Sequence, residues 1–268
     1  MLTEITLGQY FPGNSFVHKL DPRTKIIATF IYITAIFFAA SYEAYAALIA
    51  FGALVVAIAR IPVIAVLRSL KPVWIIVIFT MLIHAFTYPG EVTVFQWKMF
   101  HMTREGLEFG LKMAMRIMLL ISFSSVLTFT TSPIVLTDGI ERLLNPFKRV
   151  GVPAHELALM MTIALRFIPT LLEETDRIMK AQTARGADFG EGTMLQRLKN
   201  MLPILVPLFI SAFRRADELA IAMEARCYRG GEGRTRMHEL TMKTRDYLTL
   251  VLTLALAIGL AFYRWGLA

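Results

Sequence analysis

Few residues of this chain have the types and spacing that enzymatic catalysis requires. A phosphate-binding loop needs Gly-Lys-Ser/Thr after a glycine-rich turn. The glycine-rich run at 230–233 instead leads into Arg234 and Thr235, and no Gly-Lys pair occurs in the sequence. We therefore expect no ATP hydrolysis by this chain.

The sequence also lacks the spacing of a metal centre. A zinc-protease helix needs His-Glu-x-x-His. The His-Glu pairs at 155–156 and 238–239 have Leu159 and Met242 at the position of the second histidine. The five His are scattered, and Cys227 is the single cysteine, so no disulfide can form within the chain. The sequence predicts no metal site and no cofactor, and it favours a non-catalytic protein.

One short pattern with chemical potential occurs twice. Ala184-Arg185-Gly186 and Ala225-Arg226-Cys227 each stand at the end of a predicted helix, and Gly230 and Gly231 follow the second. In one interpretation the arginine complements the negative end of the helix dipole and the glycine forms a left-handed cap. In the other, each arginine is presented to a second protein. The pattern alone leaves both interpretations open.

The composition shows which solvent the helices around these motifs must meet. Hydrophobic residues make up 56% of the 268 residues and charged residues 18%, against about 25% charged in soluble proteins. Five stretches approach the roughly 20 apolar residues that cross a bilayer as a helix. These values exclude a disordered chain and a secreted disulfide scaffold, and they predict an all-α polytopic membrane protein in the lipid bilayer. The five stretches are 26–42, 44–59, 72–88, 109–131 and 246–264.

The basic residues predict how the chain is threaded, because Lys and Arg accumulate on the cytoplasmic side. The first 25 residues carry three of them near the first apolar stretch, and residues 132–245 hold 17 Lys+Arg against 13 Asp+Glu. We therefore expect a cytoplasmic N-terminal segment (1–25), four transmembrane helices (26–131), a cytoplasmic domain (132–245) and a last transmembrane helix (246–264). The bases are interleaved with acids, so we expect no nucleic-acid binding.

The cytoplasmic domain is predicted to contain long amphipathic helices. Its apolar run 157–172 contains Arg166 and Pro169, and the run 201–213 is short, so both are interpreted as core-facing or interfacial rather than membrane-spanning. Apolar residues at three-and-four spacing predict one stripe along a single helix. They are Leu198, Met201, Leu202, Leu205, Leu208, Phe209, Ala212, Phe213, Ala216, Leu219 and Met223.

Polar residues inside the predicted spans are few. No pair of carboxylates is available there for a proton relay, which argues against ion-coupled transport. Arg116, with Lys112 one turn earlier, is either a functional cation within the membrane or a side chain that reaches the interface, and both interpretations stay open. Gly106 and Gly110 could allow close helix approach but are interpreted as the transition from loop to helix.

The N-terminal residues sharpen the functional hypothesis. The run 10–15 (Tyr-Phe-Pro-Gly-Asn-Ser), followed by the run 18–25 (His-Lys-Leu-Asp-Pro-Arg-Thr-Lys), resembles the N-terminal signature of the transmembrane coupling subunits of energy-coupling factor transporters, the EcfT/CbiQ family. The number of spans, the long cytoplasmic domain and the two Ala-Arg motifs extend the resemblance over nearly the whole chain. It implies a subunit of a vitamin or micronutrient importer of the ABC type.

The resemblance also implies partners and roles for the two motifs. Ala184, Arg185 and Gly186 would contact one of two ABC-type ATPase subunits, and Ala225, Arg226 and Cys227 the other. Cys227 departs from the glycine of the plain motif. A separate substrate-binding membrane protein, the S component, would capture the substrate, so this sequence does not select a vitamin or metal. The alternative is a stand-alone permease or membrane enzyme with a cytoplasmic regulatory domain.

Overall fold

The computed structural model describes residues 10–88, 93–97, 100–187, 189, 193–231 and 239–266. These residues belong to two compact units. The bundle unit comprises the described residues within 8–139 and 239–268, and the arm unit those within 140–238.

The bundle unit is built from helices, as the sequence predicts, with one short hairpin between the predicted spans 72–88 and 109–131. Residues 89–92 and 98–99 of this connection lie outside the described residues. Its two strands pair antiparallel, with Thr93 opposite Thr103. The all-α class is therefore confirmed, with this small addition. The elements are α1 (Pro22–Phe38), α2 (Tyr42–Ala59), α3 (Val63–Leu70), α4 (Trp74–Thr87), β1 (Thr93–Trp97), β2 (Phe100–Thr103), α5 (Arg104–Thr130), α6 (Pro133–Leu144), which continues into the arm unit, and the C-terminal helix Thr244–Gly266.

The core of the bundle unit lies between α1, α2 and α5. Tyr32 stacks on Phe123 at 3.7 Å between ring centroids, and its hydroxyl donates a hydrogen bond of 2.9 Å to the carbonyl of Leu48. Ile36 and Leu48 are fully buried beside it. A buried tyrosine needs such a partner for its hydroxyl, so this contact fixes the packing of α1 against α2.

Three residues of the signature run 18–25 and one residue of the C-terminal helix form a largely buried polar cluster that we call the N-terminal latch, made of Asp21, Arg23, Lys25 and Asp246. The Asp21 carboxylate accepts hydrogen bonds from the N–H of Arg23 and from its guanidinium, while the backbone N–H of Asp21 donates to Asp246 at 2.8 Å. The Lys25 ammonium donates to the carbonyl of Thr130 at 2.9 Å. The latch therefore joins the start of α1 to the end of α5 and to the C-terminal helix.

The structure adds detail to two of the predicted spans. The residues between the predicted spans 44–59 and 72–88 are largely helical, because α3 occupies 63–70, and a 3₁₀ turn that contains Pro72 leads into α4. Gly106 lies in the first turn of α5, as predicted, and its N–H donates to the N-cap hydroxyl of Thr103. The close helix approach that the sequence analysis set aside is nevertheless present. A Cβ on either residue would lie within 3 Å of an α4 carbonyl oxygen, so these glycines allow α4 and α5 to pack closely.

The arm unit consists mainly of two long helices, α7 (Ala154–Ala184) and α8 (Met194–Ala225), and we number the C-terminal helix of the bundle unit α9. The structure confirms that the predicted apolar stripe belongs to one helix. A 3₁₀ helix, Asn145–Val150, joins α6 to α7.

Five helical segments among the described residues are long and apolar enough to cross a membrane: Tyr42–Ala59, Val63–Thr87, Arg104–Thr130, Ala154–Ala184 and Thr244–Gly266. Four of them match predicted spans. The fifth is α7, for which the sequence analysis predicts a core-facing or interfacial position. The stretch predicted at 26–42 forms α1, whose 17 residues extend for about 25 Å.

Candidate functional site

The two Ala-Arg motifs end α7 and α8 with the same hydrogen-bond pattern. At the end of α7, the N–H of Ala187 donates to the carbonyl of Gln182 and the N–H of Gly186 donates to the carbonyl of Thr183, both at 3.0 Å. At the end of α8, the N–H of Tyr228 donates to Met223 at 3.0 Å and that of Cys227 to Glu224 at 2.8 Å. Both are Schellman caps. The prediction that each motif stands at a helix C-terminus is confirmed.

The third residue of each motif has a left-handed backbone. Gly186 has φ +88° and Cys227 has φ +57°. Glycine adopts this conformation without cost, whereas a side chain with a Cβ is penalised by roughly 1–2 kcal/mol. The departure from glycine at Cys227 therefore changes the energy of the cap but leaves its geometry intact.

This geometry gives a direct prediction for the second motif. Cys227→Gly is expected to raise the free energy of unfolding of the arm unit by up to about 1 kcal/mol, because glycine relieves the left-handed penalty. Thermal unfolding of the purified protein in detergent measures the effect. Cys227→Val is the matched comparison, since a β-branched residue is disfavoured at this φ. A lower stability for the glycine variant would contradict the argument.

All six motif residues, Ala184, Arg185, Gly186, Ala225, Arg226 and Cys227, are exposed. The guanidinium groups of Arg185 and Arg226 form no hydrogen bond or ion pair with other side chains of the described residues. Alanine precedes each arginine, so the neighbouring side chain adds little bulk beside it. Each helix end thus presents up to five N–H donors that are free to meet an acidic or carbonyl-rich surface.

An ion pair joins the two helices at matching distances from their ends. Arg215 of α8 donates to Glu174 of α7, with Nη2 and Oε2 3.0 Å apart. Glu174 lies ten residues before the end of α7 and Arg215 ten residues before the end of α8. We call 174–184 and 215–225 the distal arms. Each extends for about 15 Å beyond the ion pair.

The distal arms have sequences suited to straight helices. Neither arm contains Gly or Pro, and both contain Ala, Met and Glu, which favour helix. The first arm adds Gln and Lys and the second adds Leu, which also favour helix. The prolines within these helices, Pro169, Pro203 and Pro207, all lie before the ion pair. Any proline kink therefore falls outside the distal arms.

The segment after the second motif is fixed against the first turn of α7. His155 Nδ1 lies 3.1 Å from Glu141 Oε1, and its Nε2 lies 3.3 Å from the hydroxyl of Tyr228. Gly231 packs so closely on the His155 ring that a Cβ there would lie 2.5 Å from it. The end of α8 thus lies near the start of α7, so the two helices run in opposed directions. The motifs form two separate tips, roughly 20–30 Å apart by helix length.

Large apolar side chains remain exposed along both helices of the arm unit. Phe209 and Phe213 on α8 are 62% and 67% exposed, and Met160 and Met161 on α7 are more than half exposed. Soluble surfaces ordinarily expose large apolar residues singly, whereas α7 and α8 expose several along each helix. The described residues leave the predicted α8 stripe largely uncovered, so it is available to lipid or to another protein.

Sequence comparison decides the family. The model of the cobalt transport protein family CbiQ matches residues 13–238, which include both motifs and the latch residues up to Lys25. This chain belongs to the EcfT/CbiQ family. It is therefore a multi-pass membrane protein and a transporter subunit.

Curated members of this family match the chain from end to end. The energy-coupling factor transporter transmembrane protein EcfT of Acidaminococcus fermentans is 64% identical over 100% of this chain and 99% of its own length. The protein of the same name from Clostridium kluyveri is 53% identical over 99% of this chain and 100% of its own. That of Bacillus subtilis is 48% identical, covering 98% and 100%.

Sequence reasoning missed two features of this site. The ion pair Arg215–Glu174 joins residues 41 positions apart, and no local pattern announces such a contact. The hydrogen bond between His155 and Tyr228 likewise depends on the opposed directions of α7 and α8. The left-handed backbone at Cys227 could have been predicted, because this position corresponds to Gly186 of the first motif.

Proposed function

We propose that this chain is the energy-coupling subunit of an importer for a vitamin or another micronutrient. It would bind two ABC-type ATPase subunits through its two arginine tips and a substrate-binding membrane protein through apolar surface. The observation that carries the proposal is the pair of alike Schellman caps on distal arms of equal length. Two equivalent tips suit a pair of related ATPases, and the transport family supplies the context.

The chemistry of docking follows from the arginine side chain. A guanidinium is always charged and can bind a carboxylate with two parallel hydrogen bonds. Arg185 and Arg226 lie at exposed helix ends, where a groove on another protein can enclose them without a steric barrier. Ala184 and Ala225 allow the partner surface to approach the helix closely.

The distal arms are suited to passing a displacement from one protein to another. When ATP draws the two ATPases together, each would push one tip, and a straight helix passes this movement to the Glu174–Arg215 contact. The exposed stripe of α8 would then shift against the S component and release its substrate. Packed helices move in this way by shear between alternative arrangements.

In the proposed topology the N-terminus and the arm unit are cytoplasmic. The excess of Lys and Arg in 132–245 supports this orientation, because cytoplasmic segments collect basic residues. The chain itself would be non-catalytic, with ATP hydrolysis in the partner subunits. A cysteine-accessibility or protease assay on intact cells checks the orientation at positions 185 and 226.

The experiment that tests the function is purification of the tagged chain from its native membrane in mild detergent. Mass spectrometry then identifies every co-purifying protein, and ATPase activity is assayed on the same sample. Two ABC-type ATPases with one or more small membrane proteins are the expected result. A chain that is purified alone and transports a solute after reconstitution would establish a stand-alone permease.

Rigidity of the distal arms gives a second prediction. Ala181→Gly with Ala222→Gly places one glycine in each arm at an exposed position, costing about 1 kcal/mol of helix stability per site. Transport is expected to fall about fivefold while the ATPases remain bound, because a bent arm absorbs the displacement. Uptake and co-purification are measured on the same cells.

The matched control is Ala164→Gly, compared with Ala181→Gly alone, because both replace an exposed alanine of α7, one on each side of the ion pair. It should reduce transport less, since α7 already contains a proline on that side. Equal losses in both variants would show that general helix stability, and not arm rigidity, limits transport.

A further inference from the structure

Two basic residues of α5 lie within a membrane-spanning helix and are held by aromatic rings. The Lys112 ammonium lies 5.1 Å from the centroid of the Tyr42 ring, and the Arg116 guanidinium carbon lies 5.5 Å from that of the Phe37 ring. Both residues are partly buried. Since α5 brings positions four apart onto one face, the two cations are neighbours on it.

Neither cation has an acidic partner among the described residues. Arg116 Nε is buried without a hydrogen bond, and Nη1 of this residue contacts only the sulfur of Met113, at 3.7 Å. Two acids nearby are engaged with other groups: Glu43 accepts a hydrogen bond from the Tyr263 hydroxyl, and Glu108 pairs with Arg104. Glu105, whose Oε2 has no hydrogen-bond partner, lies seven residues before Lys112 on α5, about 10 Å away along the helix axis. A partly buried guanidinium without a carboxylate partner among the described residues is costly, so this pair calls for an anion from outside the chain.

The helix lengths place this pair at a lipid headgroup region. Helices α1 and α2 have 17 and 18 residues and are therefore about 25–27 Å long. Helix α1 ends at Phe38 and helix α2 begins at Tyr42, beside the two cations. Both helices are shorter than the roughly 30 Å of hydrocarbon. The lipid headgroups must therefore lie at the level of the α1–α2 turn, where Tyr42 and Tyr263 provide interfacial aromatic side chains.

We propose that Lys112 and Arg116 bind the phosphate of an anionic phospholipid in the leaflet that faces the α1–α2 turn. Arg116 supplies a planar fork for two phosphate oxygens and Lys112 a mobile point charge. The rings of Phe37 and Tyr42 hold both cations in place through cation–π contact. The lipid thereby packs beside the turn that connects α1 to α2. This site is independent of the coupling role proposed above.

The test uses the full-length protein in detergent. Native mass spectrometry and thermal unfolding are recorded with phosphatidylglycerol, with phosphatidylcholine and with inorganic phosphate. The wild-type chain is expected to retain phosphatidylglycerol selectively. Lys112→Gln with Arg116→Gln is expected to weaken that binding about thirtyfold, since two basic contacts to an anionic lipid are lost. Arg116→Lys, which keeps the charge without the fork, should give an intermediate loss.

The matched control is Arg60→Gln with Lys71→Gln, which removes two exposed cations that contact no aromatic ring among the described residues. It should leave the selectivity for phosphatidylglycerol unchanged. Equal retention of both lipids by the wild type, or equal losses in the two double variants, would overturn the proposal. Stabilisation by inorganic phosphate but not by phosphatidylglycerol, lost in the Lys112/Arg116 variant, would overturn the lipid assignment in favour of a soluble phosphate.

Discussion

Reversing the charge of both motif arginines, Arg185→Glu with Arg226→Glu, is expected to abolish ATPase binding and transport. The motifs are the exposed tips of α7 and α8. A carboxylate at either tip would be repelled by the acidic or carbonyl-rich surface that accepts a guanidinium. Loss of a buried charge-assisted contact costs about 2–5 kcal/mol per site in protein interfaces, so loss at two sites leaves no measurable complex. Co-purification of the ATPases and uptake by cells are the measurements.

The control for this variant is Arg149→Glu with Arg214→Glu, which changes net charge equally at exposed positions of the same unit. It should retain the complex. Membrane insertion of both variants is expected to be normal, because no substituted residue lies in the bundle unit. Unchanged uptake by the Arg185/Arg226 variant would disprove the docking role, and the helix-cap interpretation would then suffice. Arg185→Lys alone should weaken assembly, because lysine lacks the planar fork.

Replacing Asp246 by alanine is expected to produce the largest loss of stability. This carboxylate is 1% exposed and accepts the backbone N–H groups of Asp21 and Lys243, each at 2.8 Å. Alanine leaves both donors unsatisfied and removes negative charge that faces Lys25. By the cost of breaking buried charged contacts, the free energy of unfolding should fall by about 3–5 kcal/mol. Thermal unfolding in detergent and the yield of monodisperse protein measure this loss.

Two variants make the test specific to the latch. Asp246→Asn keeps the shape and one acceptor oxygen, so its loss should be intermediate. Asp176→Ala removes a carboxylate of the arm unit that pairs with Lys180 on the same helix, and it should have little effect. A stability loss for Asp176→Ala comparable with that for Asp246→Ala would contradict the assignment of the latch as the critical contact.

The sequence predicts those parts of the fold that depend on local patterns. Apolar run length locates most of the membrane helices, and three-and-four spacing locates α8. Gly186 and its basic neighbour correctly mark the end of α7. Each of these signals lies within one element and depends on the physics of that element alone.

Contacts between elements that are far apart in the sequence could not be predicted from local patterns. The latch joins Asp21 to a carboxylate 225 positions later, and the sequence offers Asp246 only as the first residue of an apolar stretch. Gly106 and Gly110 serve close packing because α4 lies against them, which their spacing alone does not show. Run length leaves α1 and α7 undecided, since α1 has only 17 residues and α7 is long and apolar enough to cross a membrane.

The exposed position of Cys227 at the tip of α8 has a practical use in spectroscopy. This residue is the single cysteine of the chain, it is exposed, and it lies in the cap of α8 next to Arg226. A maleimide dye or nitroxide can therefore be attached there without first removing other thiols. For the docking proposed above, its emission or line shape would report, in real time, when this tip enters or leaves the partner during the nucleotide cycle.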